Sequence, residues 1–206
     1  MGRELTKQEK MELWISRHIE RAPLALYDIG IGPKSEAKTL KEQYPEMKVF
    51  GAEPLVDEYP GKLRNFPGEI APVAVGSRNG LVDIYYNPEN LLDASAKRRT
   101  DAQIGHKVTP LWTLDRFDAW YKSPKRILLW MDIEGMELEA LEGAENLLAS
   151  HRVRWINLEE RREALPGWPD PKEIRELLAG YGYLRVQEYN RHPQHQDVIY
   201  KYKDEK

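Results

Sequence analysis

A short apolar run that ends in two glycines stands near the start of the chain: Leu24-Ala25-Leu26-Tyr27-Asp28-Ile29-Gly30-Ile31-Gly32. Apolar runs of this length, bounded by glycines, are typical of strands buried in a parallel sheet. Glycines directly after such a strand let a ligand approach the backbone. The run therefore predicts a buried strand followed by a binding loop, in which Asp28, Ile29, Gly30 and Gly32 are the candidate contacts.

Strands and helices alternate along the rest of the chain. Apolar segments predict further strands at 48–52, 70–75, 127–133, 153–158, 183–189 and 198–202, with an extended piece at 81–86. Helical periodicity and capping residues predict helices at 7–22, 35–44, 57–65, 114–121, 137–149 and 174–179. The alternation predicts an α/β fold with a mostly parallel sheet and helices on both faces. The last two strands lie too close together for a helical crossover, so we expect a hairpin that makes one edge strand antiparallel.

The 206 residues fit a single domain. Within it, residues 87–110 are polar and show little periodicity, which predicts a long loop on the substrate side. Lys97, Arg98 and Arg99 cluster there, and His106 lies in the same segment. Such a basic run is either a solvated surface or a contact for an acidic group of the substrate.

A carboxylate follows the second predicted strand. Glu53, with Pro54 after it, lies about 20 residues beyond Gly30, which is the separation expected of an acid that hydrogen-bonds a ribose. Ligands of open parallel sheets bind at the carboxyl ends of the strands. The two loops together predict a site for a nucleoside cofactor.

A second group of carboxylates closes the strand at 127–133. Asp132, Glu134 and Glu137 fall within six residues, and Glu137 also suits the first turn of the next helix. Asp132 and Glu134 are candidates for a general base or for contacts to a hydroxyl-bearing or cationic ligand. Asn157, Glu159 and Glu160 end the next strand and are expected to face the same cleft. The carboxylate oxygens of Asp132 with those of Glu159 or Glu160 could bind Mg²⁺, although a metal site is not the favoured hypothesis.

Four motifs occur in an order that resembles the FkbM family of S-adenosylmethionine-dependent methyltransferases. They are Asp28-Ile29-Gly30, Glu53-Pro54, Thr113-Leu114-Asp115 and the segment from Asp132 to Ala144. The resemblance covers roughly residues 25–200. It implies the Rossmann-like class I methyltransferase fold, with seven strands of which the last is inserted antiparallel. It also implies methylation of hydroxyl oxygens on sugars or polyketides.

The resemblance assigns roles by position. Asp28, Ile29, Gly30 and Gly32 would line the methionine part of S-adenosylmethionine, and Glu53 and Pro54 the ribose. Ala74 and Val75 would border the adenine, and Asp132 would lie beside the sulfonium. The chain departs from the family at Trp130, where a lysine is usual.

Hydroxyl methylation needs a group that removes the acceptor's proton. Asp132 and Glu134 are the first candidates, and His106 is a third if its segment folds over the cleft. His192 and His195 lie in the predicted turn between the last two strands and are expected to be solvated. Trp168 is placed where an acceptor ring could stack.

Composition narrows the function further. The chain has no cysteine, which excludes disulfides and thiolate metal sites, and its net charge is −3, which makes nucleic acid an unlikely partner. No segment resembles a membrane span or a secretory signal, so we expect a cytoplasmic protein. A nicotinamide oxidoreductase is disfavoured because Ser35 replaces the third glycine of the dinucleotide motif. Two alternatives stay open: methylation of a nucleic-acid ribose or cap, and a non-catalytic protein that keeps the fold.

Overall fold

The structure is a computed structural model that describes residues 23–32, 35–58, 61, 63–97, 101–123, 125–163, 166–189 and 193–203. The helix predicted at 7–22 lies outside these residues, as do Arg98, Arg99 and His192. Eleven strands are formed by the described residues: β1 Ala25–Ile29, β2 Lys48–Ala52, β3 Glu69–Ala71, β4 Ala74–Val75, β5 Gly80–Asn87, β6 Asn90–Ser95, β7 Gly105–Trp112, β8 Ile127–Met131, β9 Val153–Arg161, β10 Tyr183–Tyr189 and β11 His195–Tyr202.

Seven of these strands form the central sheet, in the order β10-β11-β9-β8-β1-β2-β3. Strand β11 is antiparallel to both β10 and β9, and the other pairs of neighbours are parallel. The predicted hairpin of the last two strands is therefore confirmed. The prediction that its antiparallel strand lies at the edge was wrong, because β11 lies inside the sheet and β10 forms the edge. The seven strands with the last one inserted antiparallel confirm the class I methyltransferase fold.

A second sheet has four strands, and two of them, β6 and β7, lie where a long loop was predicted at 87–110, whereas β5 confirms the extended piece predicted at 81–86. Its order is β4-β7-β5-β6, and β5 is antiparallel to both β7 and β6. The predicted strand at 70–75 is divided between the two sheets, because β3 pairs with β2 whereas β4 pairs with β7. These strands share a small apolar cluster that includes Ala74, Ile84 and Leu111, but several of their other residues are exposed, so their sequences carry a weak pattern.

Five helices accompany the sheets in the described residues: α1 Ala37–Gln43, α2 Leu114–Tyr121, α3 Glu137–Glu142, α4 Glu145–Ala149 and α5 Pro171–Gly180. In place of the helix predicted at 57–65, the described residues of this part of the chain form two short 3₁₀ turns, at Val56–Glu58 and Leu63–Asn65. No helix among the described residues has the length and apolar character of a membrane span.

The helix predicted at 137–149 is broken at Gly143. A Cβ atom there would lie 2.3 Å from the carbonyl oxygen of Gly76, so the chain needs glycine at this close approach. The carboxylate of Asp115 then caps the new helix α4 by accepting the backbone N–H groups of Asn146 (3.0 Å) and Leu147 (2.8 Å). Asp115 therefore ties the start of α2 to the start of α4.

Apolar side chains cover both faces of the central sheet. Helices α2 to α5 pack on the face that carries Tyr27, Leu129 and Ile156. Helix α1 packs on the opposite face, through Ala37 and Leu40. Because both faces of the central sheet are buried, a ligand cannot bind on them. The polar residues at the carboxyl ends of the strands are therefore the candidates for a ligand-binding site.

Candidate functional site

A cavity of about 270 Å³ lies at the carboxyl ends of β1, β2 and β8. This is close to the lower end of the range for small-molecule pockets, roughly 300–1,000 Å³. Every residue that the sequence predicted to contact the cofactor lines it: Asp28, Ile29, Gly30, Gly32, Glu53, Pro54, Ala74, Val75 and Asp132. Glu134 lines it as well. The structure therefore brings these residues from four segments of the chain to one place.

The loop after β1 forms the floor of the cavity. Gly30 has a φ of +88°, and a Cβ atom there would lie 1.9 Å from the carbonyl oxygen of Asp132. The hydroxyl of Ser35 donates to the buried carboxylate of Asp28 and accepts the N–H of Ala37 at 3.1 Å. The start of α1 and the end of β1 are thereby held together at the cavity.

Glu53 places a buried carboxylate on the second wall. Its Oε1 accepts the backbone N–H of Leu55 at 2.8 Å, and only 6% of the residue is exposed. Burial is the main cause that raises the pKa of Glu53 to about 7, and the nearby carboxylate of Asp28 adds to it. A carboxylate of this kind binds hydroxyl donors strongly, because such hydrogen bonds offset the cost of its burial.

The loop after β8 is held from inside by Glu137. This fully buried carboxylate accepts the backbone N–H groups of Ile133 (3.2 Å) and Gly135 (3.0 Å). The loop contains two successive left-handed residues, Glu134 at φ +54° and Gly135 at φ +96°. Burial raises the pKa of Glu137 to about 7. Glu137 therefore shapes the backbone that carries Asp132 and Glu134, which is more than the helix-end role expected from the sequence.

Strand β6 also lines the cavity, and its end is bound to the loop after β8. Ser95 Oγ donates to the carbonyl of Glu134 at 2.8 Å, and Lys97 Nζ donates to the carbonyl of Gly135 at 2.9 Å. Lys97 also forms a salt bridge of 2.8 Å with Glu139. Lys97, the one member of the basic cluster that the structure describes, is thus bound to groups of the protein.

Comparison with protein families matches the Methyltransferase FkbM domain over residues 28–185. The chain belongs to the FkbM methyltransferase family. The match begins at Asp28, in the first binding loop, and ends in β10, so it contains all of the cavity residues named above. Comparison with curated proteins finds no match.

Solved structures of other methyltransferases are similar over most of the chain. A precorrin-6y C5,15-methyltransferase from Geobacter metallireducens is 13% identical, with a TM-score of 0.48 over 98% of this chain and 92% of that chain. A SAM-dependent methyltransferase from Aquifex aeolicus is 12% identical, with a TM-score of 0.46 over 95% and 89%. Because both TM-scores lie below 0.5, the fold is assigned from the strand order of the central sheet and not from these structures.

Carboxylates gather at the β8–β9 end of the FkbM domain. Glu159 is mostly buried, and burial together with the charges of Asp132 and Glu134 raises its pKa to about 8. Among the described residues, no group of three or more His, Cys, Asp or Glu side chains has the arrangement of a metal site. Mg²⁺ therefore gains no support from the geometry.

Two residues expected beside Asp132 lie elsewhere. Glu160 points to the opposite face of the sheet, where it is buried and bound by Arg185 at 3.0 Å and Tyr200 at 2.7 Å. Asn157 is also buried, and its Oδ1 accepts the hydroxyl of Tyr189 at 2.6 Å. The expectation that both face the cleft was wrong, since neither residue lines the cavity. Glu160 points away because alternate residues of a strand point to opposite faces. Asn157 is on the same face as Glu159, but its side chain is bound to Tyr189.

His106 is not brought to the cavity. It lies on β7 with nearly half of its side chain exposed, and its Nε2 is 2.6 Å from Asp83 Oδ1. The cavity is lined instead by residues of β6, which the sequence placed in a loop. The ring of Trp168, predicted to stack on an acceptor, already stacks on a side chain of the protein: the guanidinium of Arg161 lies 3.6 Å from the ring centroid.

The sequence did not indicate several of the lining residues, nor one interaction. Lining residues that were not predicted include Ser35, Glu36, Leu91, Ala94, Ser95 and Ala96. Ser35 and Glu36 directly follow the first loop, so their place in sequence was a usable signal. Nothing in the sequence around His195 indicates that its Nδ1 lies 2.9 Å from Glu159 Oε2, since the two residues are on different strands.

Proposed function

We propose that this protein transfers a methyl group from S-adenosylmethionine to a hydroxyl oxygen of a small, sugar- or polyketide-like acceptor. The observation that carries the proposal is the single cavity that collects all nine predicted cofactor contacts in an FkbM domain. The cavity also lies where open α/β sheets bind their ligands, between β1 and its two neighbours.

The residues present fit the cofactor. Gly30 leaves the backbone accessible where a side chain would collide with Asp132, and Glu53 supplies a buried carboxylate for the ribose hydroxyls. A carboxylate has enough lone pairs to accept these donors in addition to the N–H of Leu55. Asp132 offers negative charge beside a sulfonium. When bound, the cofactor supplies an electrophilic methyl group on a positively charged sulfur.

The carboxylates at the β8–β9 end favour a neutral hydroxyl over a phosphate. The charge of Arg161 lowers the pKa of Glu159, but those of Asp132, Glu134 and Asp197 raise it, so three carboxylates lie near Glu159. A phosphate brought to this end would be repelled by them. The charge distribution thus argues against the nucleic-acid alternative and supports a sugar- or polyketide-like acceptor.

Calorimetric titration with S-adenosylmethionine and S-adenosylhomocysteine tests the cofactor. We expect one saturable site in the wild type. Glu53→Ala removes charge-assisted hydrogen bonds worth about 1.5–3 kcal/mol. It should therefore weaken binding by roughly 10–100-fold.

Glu58→Ala is the matched control, because Glu58 is an exposed carboxylate outside the cavity. It should bind as the wild type does. A folded wild-type protein that binds neither ligand would refute the proposed function and favour the non-catalytic alternative. Equal losses for the two variants would show that Glu53 has no special role.

A further inference from the structure

Glu159 and His195 form a partly buried pair at the junction of β9 and β11. His195 Nδ1 lies 2.9 Å from Glu159 Oε2, with 27% and 15% of the two side chains exposed. The sequence placed His195 in a solvated turn, but it is the first residue of β11 and lies opposite Arg161 of β9. Two strands that run side by side therefore hold the imidazole against the carboxylate.

The pair adjoins the cavity through the sheet register. Met131 of β8 is paired with Leu158 of β9, so the next residues, Asp132 and Glu159, are neighbours on the same side of the sheet. Asp132 lines the cavity. The charge of Asp132 acts on Glu159, so Glu159 lies beside the predicted sulfonium end of the cavity.

Charged and titratable groups face Glu159 from every element packed against it. They are Asp132 and Glu134 after β8, Arg161 on β9, and Asp197 and His195 on β11. Arg161 is the more distant partner of Glu159, since its Nη2 is 3.9 Å from Oε1 and its guanidinium stacks on Trp168. Burial and the three carboxylates hold the pKa of Glu159 near 8, against an ordinary value of 4.5. A carboxylate in this environment binds a proton far more readily than one in water.

We propose that Glu159 takes the proton from the acceptor hydroxyl during methyl transfer and that His195 orients Glu159 for this step. The hydroxyl oxygen forms a bond to the methyl carbon while the carbon–sulfur bond breaks and its electron pair stays on sulfur. The hydroxyl proton moves to Glu159. The products are a methyl ether, a neutral thioether and a protonated Glu159, so charge and atoms balance. This inference rests on the proposed function.

The first test needs no substrate. In protein labelled with ¹³C at the glutamate carboxyls, the Glu159 resonance is assigned by its loss in Glu159→Gln and followed against pH. We expect a midpoint well above 4.5. We expect His195→Ala to raise that midpoint, because it removes a hydrogen bond to the charged form, and His195→Asn to restore it in part. A midpoint near 4.5 would overturn the proposal.

The second test is methyl transfer from labelled S-adenosylmethionine to methyl α-D-glucopyranoside and methyl α-L-rhamnopyranoside. Glu159→Gln should lower kcat by roughly 10²–10⁴-fold, the usual contribution of a general base. It should leave the affinity for S-adenosylmethionine within about threefold, since Glu159 does not line the cofactor cavity. In the wild type kcat should rise with pH, and His195→Ala should move that rise to higher pH, which a merely structural role would not do.

Glu163→Gln is the matched control, because Glu163 is an exposed carboxylate shortly after the same strand. Glu159→Gln with unchanged cofactor affinity and wild-type kcat would refute the role of Glu159. A wild type that binds the cofactor but methylates neither glycoside would overturn the assigned acceptor class, and this inference with it. A wild type that binds no cofactor would instead refute the proposed function itself.

Discussion

Gly30 is the position where the cavity and the central sheet depend most directly on one residue. Gly30→Ala forces a side chain into the left-handed region at φ +88°, at a cost of roughly 1–2 kcal/mol. The new Cβ would lie 1.9 Å from the carbonyl oxygen of Asp132, and that backbone is fixed by the bond from Asp132 N–H to Ile29 O at 2.9 Å. Overpacking of this kind costs about 1–3 kcal/mol more. We therefore expect the free energy of unfolding to fall by about 2–5 kcal/mol in urea denaturation.

Gly167→Ala separates the two causes. Gly167 has a similar φ of +82°, but nothing lies within 4 Å of a Cβ atom placed there. Its variant should show the backbone cost alone, roughly 1–2 kcal/mol. If Gly30→Ala costs no more than Gly167→Ala, the close approach of β1 to the loop after β8 does not restrict residue 30 to glycine. The same two variants titrated with S-adenosylmethionine should differ, with binding weakened in Gly30→Ala only.

Two further predictions concern the buried carboxylates. The raised pKa of Glu137 means that the native state holds this proton more tightly than the unfolded chain, so its stabilisation is present below pH 4.5 and is lost as the pH rises through 7. Between pH 5 and pH 8 the wild type should lose about 2–3 kcal/mol more than Glu137→Gln in urea denaturation, and parallel losses would contradict this. Asp115→Ala removes the cap of α4 and should cost about 1–2 kcal/mol, whereas Glu142→Ala, at an exposed position on α3, should cost much less.

The main sheet was predictable because its strands carry strong local signals. Residues 25–29, 48–52 and 127–131 are short apolar runs closed by glycine, proline or acidic residues, and the structure has strands there. Such runs cannot be solvated, so they pair in a sheet whatever the rest of the chain does. That the candidate residues would meet in one cavity was predictable for the same reason: they lie at or after strand ends, and parallel strands bring their ends together.

The second sheet was not predictable in the same way. Strand β7 exposes Val108 and Pro110 and buries Thr109, so its pattern of polarity opposes the usual one. Its stability comes from pairing with β5 over seven residue pairs, a partner about 25 residues away in sequence. A segment whose structure depends on such a partner looks like a loop when it is considered alone.

The sequence by itself determined the alternation of strands and helices, the glycine-bounded loop at Gly30, the carboxylates at Glu53 and Asp132, and the resemblance to the FkbM family. These are local properties: the order of apolar and polar residues decides which segments must be buried and which residues follow them. Only the tertiary structure decided that β6 would wall the cavity, that Glu160 would face away from it, and that His195 would meet Glu159. Those outcomes depend on strand register and on which strands become neighbours, and both are set by packing between segments far apart in the chain.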